Sequence, residues 1–156
     1  MKRSFELLLL FGVGLLLTGT TQAQDAEKKI PMKKLPAAVQ QTVREQSKGA
    51  TIKGFAAEKK DGKTFYEVEM NVKGHTKDLL IDANGAVVEI EEEVALATLP
   101  ASVKAGLARE AGKNKILKVE SITKNNTVVY YEAEVKRRGK VAEIKVGTDG
   151  AAMSGK

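Results

Sequence analysis

The sequence predicts an α+β fold made of two tandem repeats, each with a helix followed by an antiparallel sheet in the order α-β-β-β-β. Three observations lead to this prediction. The chain resembles itself when it is shifted by about 65 positions, the apolar spacing in each half changes from about 3.6 residues to 2, and turn residues separate the alternating segments. No Gly/Ser/Pro-rich linker joins the halves. We therefore expect two packed units, residues 35–93 and 94–156, whose sheets can join edge to edge.

The internal similarity depends on short landmarks that recur in the same order in both halves. The corresponding segments are 35–39 (LPAAV) and 99–103 (LPASV), 66–69 (YEVE) and 131–134 (YEAE), and 81–85 (IDANG) and 146–150 (VGTDG). Agreement of several landmarks in one register favours an internal duplication. The second half ends soon after Gly150, so its last strand is expected to be a stub.

Each half begins with a helix signal. Pro36 and Pro100 suit a first helical turn, where the missing N–H is not needed. Apolar residues then recur at four-residue steps and form one stripe, which needs a sheet to cover. These residues are Leu35, Val39 and Val43 in the first half, and Leu99, Val103 and Leu107 in the second.

Strand signals follow each helix, because the apolar period becomes 2. The residues predicted to face the core are Tyr66, Val68, Met70 and Val72 in the first half, and Val129, Tyr131, Ala133 and Val135 in the second. Their neighbours are predicted to face outward. Turns are predicted at Asp61-Gly62, Lys73-Gly74, Asn84-Gly85, Arg138-Gly139 and Asp149-Gly150, which have typical turn sequences.

Residues 1–23 are predicted to be a signal peptide. Lys2 and Arg3 precede an apolar stretch at 7–17, which is too short to span a bilayer and is followed by small and polar residues. We place the cleavage site after Ala23 and expect residues 24–34 to form a flexible N-terminal arm. The mature protein should therefore be periplasmic or secreted, without stable membrane insertion; the alternative is an uncleaved membrane anchor.

Composition excludes several functional classes. The chain has no cysteine, so disulfides, thiolate catalysis and cysteine-based metal sites are absent. Its formal net charge is +6, but lysines and glutamates alternate along most of its length. It lacks the basic, aromatic-rich stripe that nucleic-acid binding requires, so we expect no nucleic-acid partner.

The order of helix, Tyr-x-Val/Ala-Glu strand, Gly turn and Asp/Asn-Gly turn resembles exported tandem PepSY-like proteins, which are related in fold to β-lactamase inhibitory protein. The resemblance covers residues 35–150. It implies a non-enzymatic module that binds or restrains a protein or peptide partner, such as a peptidase. The chain has no tryptophan and no cysteine, which argues against inhibition of a β-lactamase itself.

Candidate partner-binding residues follow from the strand pattern. We expect an exposed strip on the sheet made of Phe65, Glu67, Glu69, Tyr130, Glu132 and Glu134. Glutamates two apart on a strand share a face, about 7 Å apart by strand rise. Such a strip could recognise a basic or peptide partner; the alternative is that these are ordinary solvent-facing residues.

No catalytic, cofactor or metal site is expected. His75 is the only histidine, and a single turn histidine without cysteine is a poor ligand set for a transition metal. Glu91, Glu92 and Glu93 form an acidic run without the ligand spacing of a calcium loop. An alternative function remains open. The chain could be a small-ligand or cation carrier of the cell envelope, using a groove between the halves and His75 or the acidic run.

Overall fold

The computed structural model describes residues 28–153. Its elements, in order along the chain, are β1 (Lys28–Lys29), α1 (Ala37–Gln46), β2 (Thr51–Lys60), β3 (Lys63–Val72), β4 (His75–Asp82), β5 (Val87–Glu93), α2 (Ala101–Ala111), β6 (Lys115–Lys124), β7 (Thr127–Arg137) and β8 (Lys140–Gly147). Single 3-10 turns at Met32–Lys34 and Leu96–Thr98 precede the two helices. The proposed signal peptide and its cleavage site lie outside the described residues.

The predicted fold class is wrong. In residues 28–153, eight strands form one antiparallel sheet in sequence order, rather than two tandem α-β-β-β-β units. Strand β5 pairs directly with β6, with Glu91 opposite Ile122 and Glu93 opposite Glu120. Within the described residues, only three strands follow α2. The physical reason is that two separate sheets would each leave an edge of unpaired N–H and C=O groups, whereas one ladder satisfies these groups.

Most of the described residues lie in strands, and the helices α1 and α2 have only 10 and 11 residues. Both helices begin directly after a proline, Pro36 and Pro100, as the sequence predicts. They lie on the same side of the sheet as two hydrophobic clusters. The first contains Leu35, Val39, Val43, Val68, Met70, Leu79 and Ile81. The second contains Leu99, Val103, Leu107, Ala111, Val119, Ala133, Val135, Ile144 and Val146.

Turn glycines hold each helix against the sheet. The Thr42 hydroxyl on α1 donates to the Gly85 carbonyl at 2.6 Å, and the Arg109 guanidinium on α2 donates to the Gly150 carbonyl at 2.9 Å. Gly106 lies directly against the Gly150 backbone, where a Cβ atom would overlap it. The predicted turns at 84–85 and 149–150 are therefore also helix-docking contacts.

Residues 28–34 differ from the loose arm expected from the sequence. Lys28 and Lys29 pair with Ala57 and Ala56 of β2, and the Ile30 amide donates to the Phe55 carbonyl at 3.0 Å. Pro31 then ends the pairing, since it has no amide hydrogen to donate. In the described part of the chain, no helix combines the length and apolar character that crossing a membrane requires.

Candidate functional site: the open face of the sheet

The side of the sheet opposite α1 and α2 is uncovered by helices, and we call it the open face. Successive side chains of a strand point to opposite faces, so the neighbours of the buried core residues belong to the open face. Its carboxylates come from β2 to β8: Glu58, Glu67, Glu69, Asp78, Asp82, Glu89, Glu91, Glu93, Glu120, Glu132, Glu134 and Glu143. This face is therefore acidic.

The six predicted site residues all lie on the open face, but they do not form one strip. Phe65, Glu67 and Glu69 are on β3, whereas Tyr130, Glu132 and Glu134 are on β7. Strands β4, β5 and β6 lie between them. At a spacing of about 4.8 Å per strand, the two groups are separated by roughly 19 Å. All six residues are half-buried rather than fully exposed.

The centre of the open face holds carboxylates outside the six predicted partner-binding residues. Asp78, Glu91 and Glu120 lie on the adjacent strands β4, β5 and β6, and their carboxylate oxygens lie within 4.8 Å of one another. We call these three residues the central cluster. The sequence does indicate part of this cluster. Glutamates occupy every second position of β5, at 89, 91 and 93, so their side chains must share one face.

Crowding and burial change the proton affinity of the central cluster. Burial raises the pKa of Asp78 to about 6, and the neighbouring carboxylates of Glu120 and Glu69 add to the effect. Burial and the charges of Glu132 and Glu120 raise the pKa of Glu91 to about 8. A proton or another cation therefore stabilises these side chains near neutral pH.

Lysines neutralise the carboxylates around the central cluster. Lys118 Nζ lies 3.0 Å from Glu120 Oε1 and 3.2 Å from Glu134 Oε1. Burial alone would lower the pKa of Lys118, but these two carboxylates outweigh it, so the pKa is raised. Lys124 contacts Glu89 at 2.6 Å, and Lys145 pairs with Glu132. Each lysine is therefore already engaged by an acidic neighbour.

His75 lies beside the cluster but is not part of it. Its Nδ1 is 3.7 Å from Glu93 Oε1. Glu93 also accepts a hydrogen bond from the Thr76 amide at 3.0 Å, and this bond, together with the charge of His75, lowers the pKa of Glu93. The Thr76 hydroxyl is 3.3 Å from Glu120 Oε1. Glu93 is therefore held by Thr76 and His75, and Thr76 also connects it to Glu120 of the central cluster.

Apolar groups lie beside the central cluster. Ile122 is fully buried although it points to the open face, between Glu91 on β5 and Tyr130 on β7. Lys145 Nζ is 5.6 Å from the centre of the Tyr130 ring. Burial, followed by the charge of Glu132, raises the pKa of the Tyr130 hydroxyl, so the ring stays neutral. The open face thus combines negative charge with an apolar, aromatic surface.

The folded chain separates its charges more than the sequence suggests. The net charge is +6, yet the open face collects most of the strand carboxylates. Many basic residues lie instead at the helices and turns, among them Lys33, Lys34, Arg44, Lys48, Lys104, Arg109 and Lys113. Lysines on the same face, among them Lys118, Lys124 and Lys145, pair with part of these carboxylates.

Where the two halves meet, β5 and β6 pair directly, so the sheet has no gap there. A cleft of about 500 Å³ lies instead beside the end of β1. Residues lining it include Ile30, Ile52, Phe55 and Glu69. Ile52 and Phe55 belong to β2 near the sheet edge, whereas Glu69 on β3 lies opposite Asp78 of the central cluster.

No protein-family model matches the chain, and no curated protein matches its sequence. Solved structures do match. A BLIP-like protein from Bacteroides fragilis is 21% identical with a TM-score of 0.55, covering 78% of this chain and 85% of that protein. A DUF2874 family protein from Bacteroides ovatus is 17% identical with a TM-score of 0.58, covering 77% and 85%. A candidate periplasmic protein from Bacteroides eggerthii is 16% identical with a TM-score of 0.61, covering 77% and 86%. The chain therefore has a BLIP-like fold, and none of these comparisons identifies it specifically as a PepSY protein.

Proposed function

We propose that this chain is an exported, non-enzymatic binding module that engages a protein or peptide partner through the open face of its sheet. The observation that carries the proposal is the open face itself. It is uncovered by the helices, and it combines a central carboxylate cluster with the large side chains of Phe65, Leu80 and Tyr130 beside it. Aromatic residues are enriched in protein interfaces, and complementary charges give an interface its specificity.

The fold supports the same proposal by analogy. One structural neighbour is described as a BLIP-like protein, and the BLIP name denotes an inhibitory protein that acts by binding. This chain lacks tryptophan and cysteine, so any inhibitory contact would depend on other anchors. Tyr130, Phe65 and Leu80 are the large open-face side chains available for that role. A peptidase is one class of partner that this mode of binding suits.

The location that we propose is the periplasm or the cell exterior. The apolar N-terminal segment with its short length and basic start supports export. One structural neighbour is described as a candidate periplasmic protein, which agrees with this location. N-terminal sequencing of protein from culture fractions tests export, and a mature chain beginning at Gln24 is the expected result.

The test of the binding proposal is charge reversal on the open face. A variant with Glu67, Glu69, Glu132 and Glu134 changed to Lys should fold but lose capture of its partner from envelope extract. A control variant reverses three charges away from the open face: Glu45 and Glu110 on the helical side and Asp61 in a turn are changed to Lys. Capture should survive in this control. Equal capture by the open-face variant and the natural chain would contradict the proposed site.

Cation binding is a second candidate, and the geometry of the central cluster favours it. Hard cations such as Ca²⁺ bind carboxylate oxygens, and three such oxygens converge here. Binding would have to displace protons, because the pKa of Glu91 is raised to about 8. Calorimetry with Ca²⁺, Zn²⁺ and Cu²⁺ tests it: a heat signal and a higher melting temperature support it, and their absence at millimolar metal contradicts it.

A further inference from the structure

We propose that the partner engaged by the open face is a cationic protein segment, which places lysine or arginine side chains over Asp78 and Glu91. This inference rests on the proposed function and adds the chemistry of the partner to it. It depends on the charges of the open face and on which carboxylates already have a cation.

The lysines near the central cluster pair with carboxylates other than Asp78 and Glu91. Lys118 bridges Glu120 and Glu134, Lys124 contacts Glu89, and Lys145 pairs with Glu132. Among residues 28–153, no lysine or arginine nitrogen comes within 4.0 Å of a carboxylate oxygen of Asp78 or Glu91. The Met70 amide donates to Asp78 Oδ1 at 3.3 Å. Within the central cluster, Lys118 therefore pairs with Glu120, whereas Asp78 and Glu91 have no lysine or arginine at ion-pair distance among the described residues.

The surroundings of Asp78 and Glu91 are predominantly acidic on every strand that faces them. The charged groups are Glu69 on β3, Glu89 and Glu93 on β5, Lys118 and Glu120 on β6, and Glu132 on β7. Nucleic acids and anionic lipid surfaces would be repelled by this face, since both present phosphates. A basic protein surface is the macromolecular partner with complementary charge.

The apolar surroundings favour a side chain over a bare metal ion. Ile122 and Tyr130 lie next to Glu91 across the β5–β6 and β6–β7 pairs. Lysine and arginine carry aliphatic stems that pack on apolar surface while the charged end reaches a carboxylate. Arginine also stacks on aromatic rings and binds carboxylates in a bidentate manner. The half-buried ring of Tyr130 would therefore contribute to binding a side chain, whereas a metal ion would gain nothing from it.

Peptide binding tests this inference. The probes are two labelled peptides of equal length, one alternating Arg and Ala and the other alternating Glu and Ala, measured by fluorescence anisotropy at 0.15 M salt. We expect only the basic peptide to bind. The double variant Asp78→Asn/Glu91→Gln should weaken its binding by about tenfold or more, because two paired charges are lost. The control variant Glu45→Gln/Glu110→Gln, with the same change in net charge, should alter binding less than about twofold.

Proton release provides a second readout. Because binding of a cation should ionise Asp78 and Glu91, calorimetry of the basic peptide in buffers of different ionisation heat should show protons released at pH 7, and none for the double variant. Equal losses in both variants, or no binding of the basic peptide, would overturn the inference. Self-association of the basic chain through this face, seen by sedimentation, would also overturn it.

The two proposals can fail separately. If a partner captured through the open face contacts it by a segment without lysine or arginine, the partner chemistry proposed here is wrong and the binding function stands. If the basic peptide fails to bind and charge reversal leaves capture unchanged, both are wrong. Circular dichroism of each variant verifies folding; neutral replacements at Asp78 and Glu91 remove repulsion and should not unfold the chain.

Discussion

At the scale of single residues, Asp78 and Glu91 are placed where their charge costs stability. Each is desolvated and faces other carboxylates, so its pKa is raised, to about 6 and about 8 respectively. Proteins often retain such unfavourable charge at functional positions, where a ligand compensates it. Outward positions on β3 and β7 were predictable from alternation, but the central cluster was not, because it depends on which strands become neighbours.

The pH dependence of stability follows from these two residues. A carboxylate whose folded pKa is raised stabilises the fold below its unfolded pKa, and this contribution is lost as pH rises through the folded value. The free energy of unfolding should therefore fall between about pH 4 and pH 8. One pKa unit is worth about 1.4 kcal/mol; with a discount for solvent exposure, we expect a loss on the order of 2 kcal/mol.

Urea denaturation at pH 5 and pH 8 measures this dependence. The free energy of unfolding of the variant Asp78→Asn/Glu91→Gln should change less between pH 5 and pH 8. At pH 8 this variant should be more stable than the natural chain. The His75–Glu93 contact is common to both proteins, so the difference between them isolates the two carboxylates. A natural chain that gains stability from pH 5 to pH 8 would contradict this account of the central cluster.

At the scale of elements, the helices are held by their apolar stripes and by glycine contacts. The start of each helix was predictable, because Pro36 and Pro100 carry a local signal that acts within one turn. The turns at Gly85 and Gly150 were also predictable. Their packing against Ala38 and Ser102 was not, because a close approach of two backbones leaves no sequence pattern beyond the glycine itself.

Replacing Gly106 with alanine should destabilise the protein, although alanine usually stabilises a helix relative to glycine. In an isolated helix, Gly→Ala stabilises by about 1 kcal/mol. Here the new Cβ would overlap the Gly150 backbone, so we expect Gly106→Ala to destabilise by about 1–3 kcal/mol, as overpacking does. Thermal denaturation measures it. Ala105→Gly, at the exposed neighbouring position, is the calibration and should cost only about 1 kcal/mol.

The buried stripe of α2 provides a further check on helix docking. Leu107 is fully buried in the second hydrophobic cluster. Leu107→Ala should lower the free energy of unfolding by about 2–5 kcal/mol through lost burial and a cavity. The exposed Leu117 is a matched control, and Leu117→Ala should change stability by less than about 0.5 kcal/mol. Similar losses in both would contradict the assignment of the core.

At the scale of the whole molecule, one continuous sheet joins two hydrophobic clusters. The sequence similarity of the halves suggests two units. The hydrogen bonds between β5 and β6 instead join the strands of both halves into a single sheet. Sequence patterns specify which residues face inward, and they do not specify whether two sheet edges pair, because that choice depends on backbone groups common to all residues. The segregation of acidic charge onto one face is a consequence of the same pairing.

Separate halves should not behave as independent domains. A fragment of residues 24–93 exposes the β5 edge, and one of residues 94–156 exposes the β6 edge, so each alone should be poorly folded or self-associating. Mixed together, they should form a one-to-one complex with the strand content of the full chain, measured by sedimentation and circular dichroism. Two monomeric fragments with native-like cooperative unfolding would contradict the single-sheet account.

The central claim is that the open face is where a partner binds. Its most direct test is photo-cross-linking from a reactive amino acid placed at Leu80, on the open face, or at Lys104, on exposed α2, in cells that make the protein. We expect a discrete adduct with another protein from position 80, none from position 104, and loss of the adduct when Asp78 and Glu91 are neutralised. Adducts from position 104 alone would contradict the claim.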